Sequence, residues 1–190
     1  IMVILKGLRK WAALKEKEKE LVDAAIGESE RMKNLIRSLQ DFNRPSAGMK
    51  SLMDVHQALD SLILLQTNIF SKKMIEIERV YAADLPSIEA VPDQIKQVFL
   101  NLLTNACDAC SNGKNKITIS TWREGDSVAV SVVDTGVGIT PENLERIFQP
   151  FFSTKDTVKG TGLGLSVSYG IIKAHGGEIR VESSPGKGAA

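Results

Sequence analysis

With 190 residues, 43% of them apolar and 25% charged, and a formal net charge of +1, the chain is long enough for one sizeable core plus a small appended element. The near-neutral balance gives no electrostatic reason to propose nucleic acid or a membrane surface as partner. No apolar run approaches the ~18 residues of a membrane span. The chain opens on Ile1 and closes on Gly188-Ala189-Ala190 without a finished element, so it reads as an excerpt of a longer protein. Cys107 and Cys110 form a lone Cys-x-x-Cys. With no second pair and no nearby His to complete a metal site, they read as two small apolar residues on one helix.

Ile1, Ile4, Leu5, Leu8, Trp11 and Leu14 have helical spacing, which predicts a helix over Ile1–Leu14. The charged run Lys15–Glu20 reads as a solvated helix start or turn, and the helical period resumes over Leu21–Phe42. Two apolar-striped helices with a short connection suggest an antiparallel hairpin. Such a hairpin cannot bury both stripes alone, so pairing with a second copy as a four-helix bundle is expected. Asn43-Arg44-Pro45-Ser46-Ala47-Gly48 breaks the helix and reads as a hinge. The expected division is a hairpin over 1–43, a linker over 44–51 and a globular domain over 52–190, its last strand missing.

Within that domain the pattern predicts a helix over Asp54–Ser71 and strands over Ile75–Tyr81 and Ser87–Val91. A strong helix follows over Pro92–Ser111, with Pro92 suited to its first turn. Strands are expected at Ile117–Trp122 and Val128–Val133, joined through Glu124-Gly125-Asp126. A short helix over Pro141–Phe148, a helix over Leu163–His175 stopped by Gly176-Gly177, a strand over Glu178–Glu182 and a turn at Pro185–Gly188 complete the chain. The fold class is α+β: a mixed sheet with helices on one face, a two-layer sandwich.

The stretch Asp134–Leu165 carries the chemistry. Two glycine-rich turns, Asp134-Thr-Gly136-Val-Gly138-Ile139 and Gly160-Thr161-Gly162-Leu163-Gly164-Leu165, bracket the aromatic and basic loop Phe148-Gln-Pro-Phe151-Phe152-Ser-Thr-Lys155. A glycine turn opening a helix presents free N–H groups to an anion. Lys155 can reach phosphates as a point charge. Asp134 can accept a hydrogen bond from an exocyclic amine with Ile139 as an apolar face beside it, or it is a plain strand-end turn residue. On the Pro92–Ser111 helix, Ile95, Val98, Phe99, Leu102, Leu103, Ala106 and Ala109 form the buried stripe. Asn101, Asn105 and Asp108 line its border, either as a site wall or as a solvated edge. An Asn carbonyl suits Mg²⁺, which takes few protein oxygens.

Taken in order, Asn101-Leu-Leu-Thr-Asn105-Ala-Cys-Asp108-Ala109, Asp134-Thr-Gly-Val-Gly-Ile, Phe148-Gln-Pro-Phe-Phe and Gly160-Thr-Gly-Leu-Gly-Leu resemble the ATP-binding domain of sensor histidine kinases, within the GHKL ATPase superfamily. The version here looks most like the nitrogen-regulator sensor subgroup. The resemblance spans Leu52 to the end. It implies an ATP-dependent protein histidine kinase of a two-component system, with ATP and Mg²⁺ as cofactors. Asn105 is then the Mg²⁺ ligand, Asn101 assists at the phosphates, and Asp134 reads the adenine amino group. Gly136 and Gly138 pass beneath the base, Gly160–Leu165 lie along the phosphates, and Gln149–Lys159 is the ATP lid. Asp108 replaces a Lys common in the family and receives no assigned role.

The resemblance also implies a homodimer through the hairpin, a response-regulator receiver domain as partner and a cytoplasmic location, the full protein being free to carry a membrane anchor. Neither His56 nor His175 has the surroundings of the family's acceptor. Ile1–Leu5 looks like the segment just after that motif, which places the acceptor His a few residues before Ile1. An anti-sigma-factor kinase would lack the hairpin, a catalytically dead scaffold would not keep all four boxes, and a chaperone-type ATPase would carry a further transducer domain.

Overall fold

The computed structural model describes residues 17–27, 29, 48–110, 115–155 and 161–190. Residues 17–27 are helical, so Lys17–Glu20 of the charged run lead into the helix expected from Leu21 without a break. The expected helix Ile1–Leu14, the stretch 30–42 and the hinge residues 43–47 lie outside the described residues. From there the elements are β1 (Ser51–Met53), α1 (Val55–Lys72), β2 (Ile75–Tyr81), β3 (Ile88–Ala90), α2 (Pro92–Ala109), β4 (Asn115–Glu124), β5 (Ser127–Asp134), α3 (Pro141–Leu144) and α4 (Gly164–Ala174).

Helix α1 starts where the Asp54 carboxylate accepts the Gln57 N–H at 3.1 Å. It buries Val55, Ala58, Leu59, Leu62, Ile63 and Phe70, steps of three and four that keep one face inward. Helix α2 has Pro at its start and Asp93 in its first turn, both suited to a helix N-terminus. Strand β4 alternates: Ile117 and Ile119 are fully buried, while Lys116, Thr118 and Ser120 point the other way. That outer face is polar, with Glu78 bridging Lys116 Nζ at 3.0 Å and the Thr118 hydroxyl at 2.9 Å.

The main sheet has the order β2-β4-β5, with β2 parallel to β4 and β4 antiparallel to β5. The parallel pair needs a long crossover, which β3 and α2 supply. The β4–β5 hairpin closes between Glu124 and Ser127 through Gly125, whose φ of +62° suits a tight two-residue turn. Strands β1 and β3 form a separate antiparallel pair, Met53 opposite Ile88. Leu59, Leu103, Ile117 and Ile119 fill the space between α1, α2 and the inner sheet face, and α4 lies against α2. The α+β two-layer sandwich is as expected.

Four local readings change. The short strand β1 falls where the linker was expected to meet the domain. The strands β4 and β5 run one to two residues further at each end than their apolar alternation indicates, because backbone pairing continues past the last buried residue. The helix expected over Pro141–Phe148 holds for Pro141–Leu144 only, then gives way to successive turns. The strand expected over Glu178–Glu182 is not formed. A strand exists through its ladder, and only the end of this stretch has one: Glu182 and Ala190 exchange both backbone bonds, and Ser183 bridges Ala189.

The two histidines are structural. His175 Nε2 accepts the Val91 N–H at 3.0 Å, and Nδ1 lies 2.8 Å from the Ile171 carbonyl, so one imidazole ties the end of α4 to the start of α2. His56 stacks on Tyr81 with ring centroids 4.4 Å apart, its Nε2 2.8 Å from the Thr121 hydroxyl. Replacing His175 by Ala leaves the buried Val91 N–H without its acceptor, so urea unfolding should show a loss of about 1–3 kcal/mol. A change below about 0.5 kcal/mol would mean that this bond does not join the two helices.

Candidate functional site

Helix α2 positions the first wall. At about 100° per residue, Asn101, Asn105 and Asp108 share a narrow sector beside the stripe of Val98, Phe99 and Leu103. Burial of that stripe aims all three at the concave surface bounded by the glycine turn, the loop ending at Lys155 and the start of α4. Asn101 Nδ2 donates to the Gly164 carbonyl at 3.1 Å and to the Ser168 hydroxyl at 3.2 Å. Its amide therefore holds the first turn of α4 in place. Ser168, fully buried, passes a 2.9 Å bond back to Gly164 O. Nothing in the sequence pattern singles out Ser168, since a small residue inside an apolar helix has many ordinary reasons to be there.

The N-terminus of α4 forms the second wall. Among the described residues no side chain caps it and no acidic residue lies in its first turn, so its N–H groups and the positive end of the helix dipole suit an anion. Thr161, Gly162, Leu163, Gly164 and Leu165 lie at this end as expected, with Leu163 buried in the core. Gly160 and residues 156–159 of the expected lid lie outside the described residues. Gly162, at φ +68°, packs on the backbone of Phe151, whose carbonyl oxygen would be 2.6 Å from an added Cβ. The aromatic loop is pinned at two points: Phe148 lies 5.2 Å from Tyr169, and Phe152 sits under the Arg146 guanidinium at 4.6 Å. Phe151 is exposed and itself has φ +66°.

Asp134 closes β5 as a buried carboxylate, with Oδ1 accepting the Gly136 N–H at 2.8 Å. Gly136 and Gly138 do permit a close approach, but to the protein itself. A Cβ on Gly136 would stand 2.5 Å from the Ala109 backbone, and one on Gly138 would meet the Ser184 carbonyl. Ile139 is half-buried, its N–H bonded to the Ser183 hydroxyl at 2.9 Å, and Gly186 N donates to Val137 O at 2.7 Å. The turn at Pro185–Gly188 thus backs the glycine turn, a role its sequence does not announce.

Lys155 reaches across to the α2 wall. Its Nζ lies 3.2 Å from Asn105 Oδ1 and 2.9 Å from Asp108 Oδ2. The other Asp108 oxygen takes Lys73 Nζ at 3.1 Å. Burial opposes ionisation of Asp108, yet the two ammonium groups outweigh it and hold the carboxyl below its ordinary range. The Asn105 carbonyl already accepts a cation, so its chemistry fits an ion such as Mg²⁺. Among the described residues no group of three His, Cys, Asp or Glu side chains could hold a metal by itself. Cys107 and Cys110 are free and buried, and burial pushes both thiols up, which agrees with a packing role. No helix among the described residues is long and apolar enough to cross a membrane.

Burial holds the Asp134 carboxyl above the ordinary carboxylate range, the Gly136 N–H only partly offsetting it. A raised folded value contributes stability that is complete below the unfolded value of about 3.9 and is lost as pH rises through the folded one. Asp134→Asn removes the charge and keeps an oxygen for Gly136. At pH 7 the variant should therefore melt at or above the wild-type temperature, the difference shrinking below about pH 4. A lower melting point at neutral pH would contradict this account of the carboxylate.

Residues 90–190, more than half of the chain, match the family described as histidine kinase-, DNA gyrase B- and HSP90-like ATPases. The sensor histidine kinase ZraS of Klebsiella oxytoca is 36% identical over 190 residues, covering 97% of this chain and 40% of that protein. Among solved structures, full-length ShkA in complex with AMPPNP superposes on the whole chain with a TM-score of 0.77 at 25% identity, this chain covering 40% of it. Histidine kinase ThkA in complex with the response regulator protein TrrA gives 0.74 at 25% identity, over 99% of this chain and 55% of that one. The chain spans well under two thirds of these relatives. The aligned motifs, the sandwich that carries them and this match agree: the chain belongs to the histidine kinase-, DNA gyrase B- and HSP90-like ATPase family.

Proposed function

We propose that this chain is the kinase core of a sensor histidine kinase, which binds Mg-ATP and transfers the γ-phosphoryl group to a His for relay to an Asp of a response regulator. The observation that carries the reading is the Asn105 carbonyl, on the same helix whose Asn101 holds the start of α4, facing the Lys155 ammonium, with the buried Asp134 carboxylate lining the same broad depression. Those groups match the parts of a nucleotide: an adenine amine for Asp134 with Ile139 beside it, phosphates for the Thr161–Leu165 amides and Lys155, and a metal for Asn105.

Asn101 keeps the phosphate-facing helix end at a fixed distance from Asn105 through its bonds to Gly164 and Ser168. Mg²⁺ held by Asn105 would neutralise charge on the phosphates, the main contribution in phosphoryl transfer. The α4 amides supply fixed positive potential along the same track, Lys155 adds a movable charge to it, and the loop that ends at Lys155 limits water. The name of the ThkA complex supports a response regulator as partner, and the AMPPNP complex of ShkA supports an adenine nucleotide as ligand. Homodimerisation through the hairpin over residues 1–43, the hinge over 44–51 and a cytoplasmic location belong to the same reading.

His56 and His175 are both engaged in packing and backbone bonds, which supports an acceptor located before Ile1. Two measurements test the proposal. Asn105→Ala should weaken Mg-ATP binding at least about tenfold, the lower end of what even an outer-shell partner of a bound metal is worth; unchanged affinity would refute the metal assignment. With γ-labelled ATP, acid-labile label should appear when the chain is extended upstream and not on the chain as it stands. Stable acid-labile label on this chain alone would sink the acceptor placement.

A further inference from the structure

The contacts of Lys155 have a consequence beyond touching phosphate. An ammonium donates only, so the Asn105 atom facing it is the carbonyl oxygen. That is the atom the metal assignment needs. An ammonium and a divalent cation cannot share it, because they repel at contact distance and draw on the same lone pairs. Asp108 sits three residues along α2 from Asn105, on the same side of the helix, and it receives the ammonium at 2.9 Å. Its second oxygen is held by Lys73, and Lys73 is itself anchored on the Cys107 carbonyl at 2.8 Å. Asp108 is therefore a carboxylate fixed from behind, with one oxygen left to aim Lys155 at Asn105.

We propose that Lys155 is a built-in counter-cation of the nucleotide site, positioned by Asp108, which occupies the Asn105 carbonyl when no divalent cation does and lets the site accept nucleotide phosphates without Mg²⁺. The proposal rests on the nucleotide-site reading. It makes Asp108, the residue for which the family resemblance offers no role, a positioning residue, and it gives the loop lysine and the metal one shared place. Binding of Mg²⁺ at Asn105 then displaces the ammonium, so Lys155 contributes most where the metal is absent.

The test is calorimetric titration of ADP into this chain, in EDTA and in Mg²⁺, with the fold of each variant checked by its thermal melt. Wild type should bind in both conditions, with affinities within about tenfold of each other. Lys155→Gln should lose at least about tenfold in EDTA and less than about threefold in Mg²⁺, and Lys155→Arg should restore most of the EDTA binding. In an Asp108→Asn background the same Lys155→Gln change should cost less than about threefold in EDTA, because the ammonium is no longer aimed. An equal loss in both conditions, or no loss in either, overturns the counter-cation role and leaves the nucleotide site standing. Absence of ADP binding by wild type in both conditions overturns the nucleotide reading and this inference with it.

Discussion

Burial of one face of α2 is the constraint on which the rest depends. Ile95, Phe99, Leu103 and Ala106 must face the sheet and α1, because their removal from water is the main favourable contribution of the domain. With that face committed, helical geometry leaves no choice about the sector that carries Asn101, Asn105 and Asp108. The direction of this polar edge is thus a by-product of core packing. Asn101 extends the same order to α4 by bonding Gly164 and Ser168, so the polar edge of α2 and the start of α4 are set against one another by two hydrogen bonds.

The other half of the site is built from loops, and loops need different support. The glycine turn after β5 is clamped on both sides. Gly136 lies flush against the Ala109 backbone, with Val137 N bonded to Ala109 O at 3.2 Å, and the turn at Pro185–Gly188 braces its other side. This holds Asp134 in place at an electrostatic penalty, since burial disfavours its charge. Asp108 lies at the opposite balance: two lysines favour its ionised form. Burial thus disfavours the charge on one carboxylate, while two neighbouring ammonium groups favour it on the other. Their environments, not their chemistry, set them apart.

Much of this was legible in the residues. Helix α1, the strands β2 and β4 and helix α2 each rest on a local period that tertiary contacts reinforce, and their boundaries shift by only a residue or two. The stretch Glu178–Glu182 shows the limit of that reasoning. It has the composition of a strand, yet pairing is a non-local event, and only Glu182 and Ser183 meet a partner. The four motifs in order pointed to the family, and the structure brings Lys155 onto Asn105 and Asn101 onto the start of α4. The Asp108–Lys155 pair spans 47 positions and the Lys73–Asp108 pair 35. No periodicity marks either contact, because a single charged residue on a surface is compatible with many partners.

What the sequence determined by itself is the set of local commitments. Glycine appears where φ must be positive or backbones must touch, a stripe of apolar residues sets which face of each helix is buried, and an amide column lies beside that stripe. These follow from short-range sterics and from hydrophobic spacing, which neighbouring residues decide among themselves. Only the tertiary structure decided what the polar groups do with each other. It turned Gly136 and Gly138 toward Ala109 and Ser184, made His175 a tie between α4 and α2, and set Lys155 between Asn105 and Asp108. Hydrogen bonds and ion pairs are directional and short, so their partners exist only once the core has brought distant segments within about 3 Å of one another.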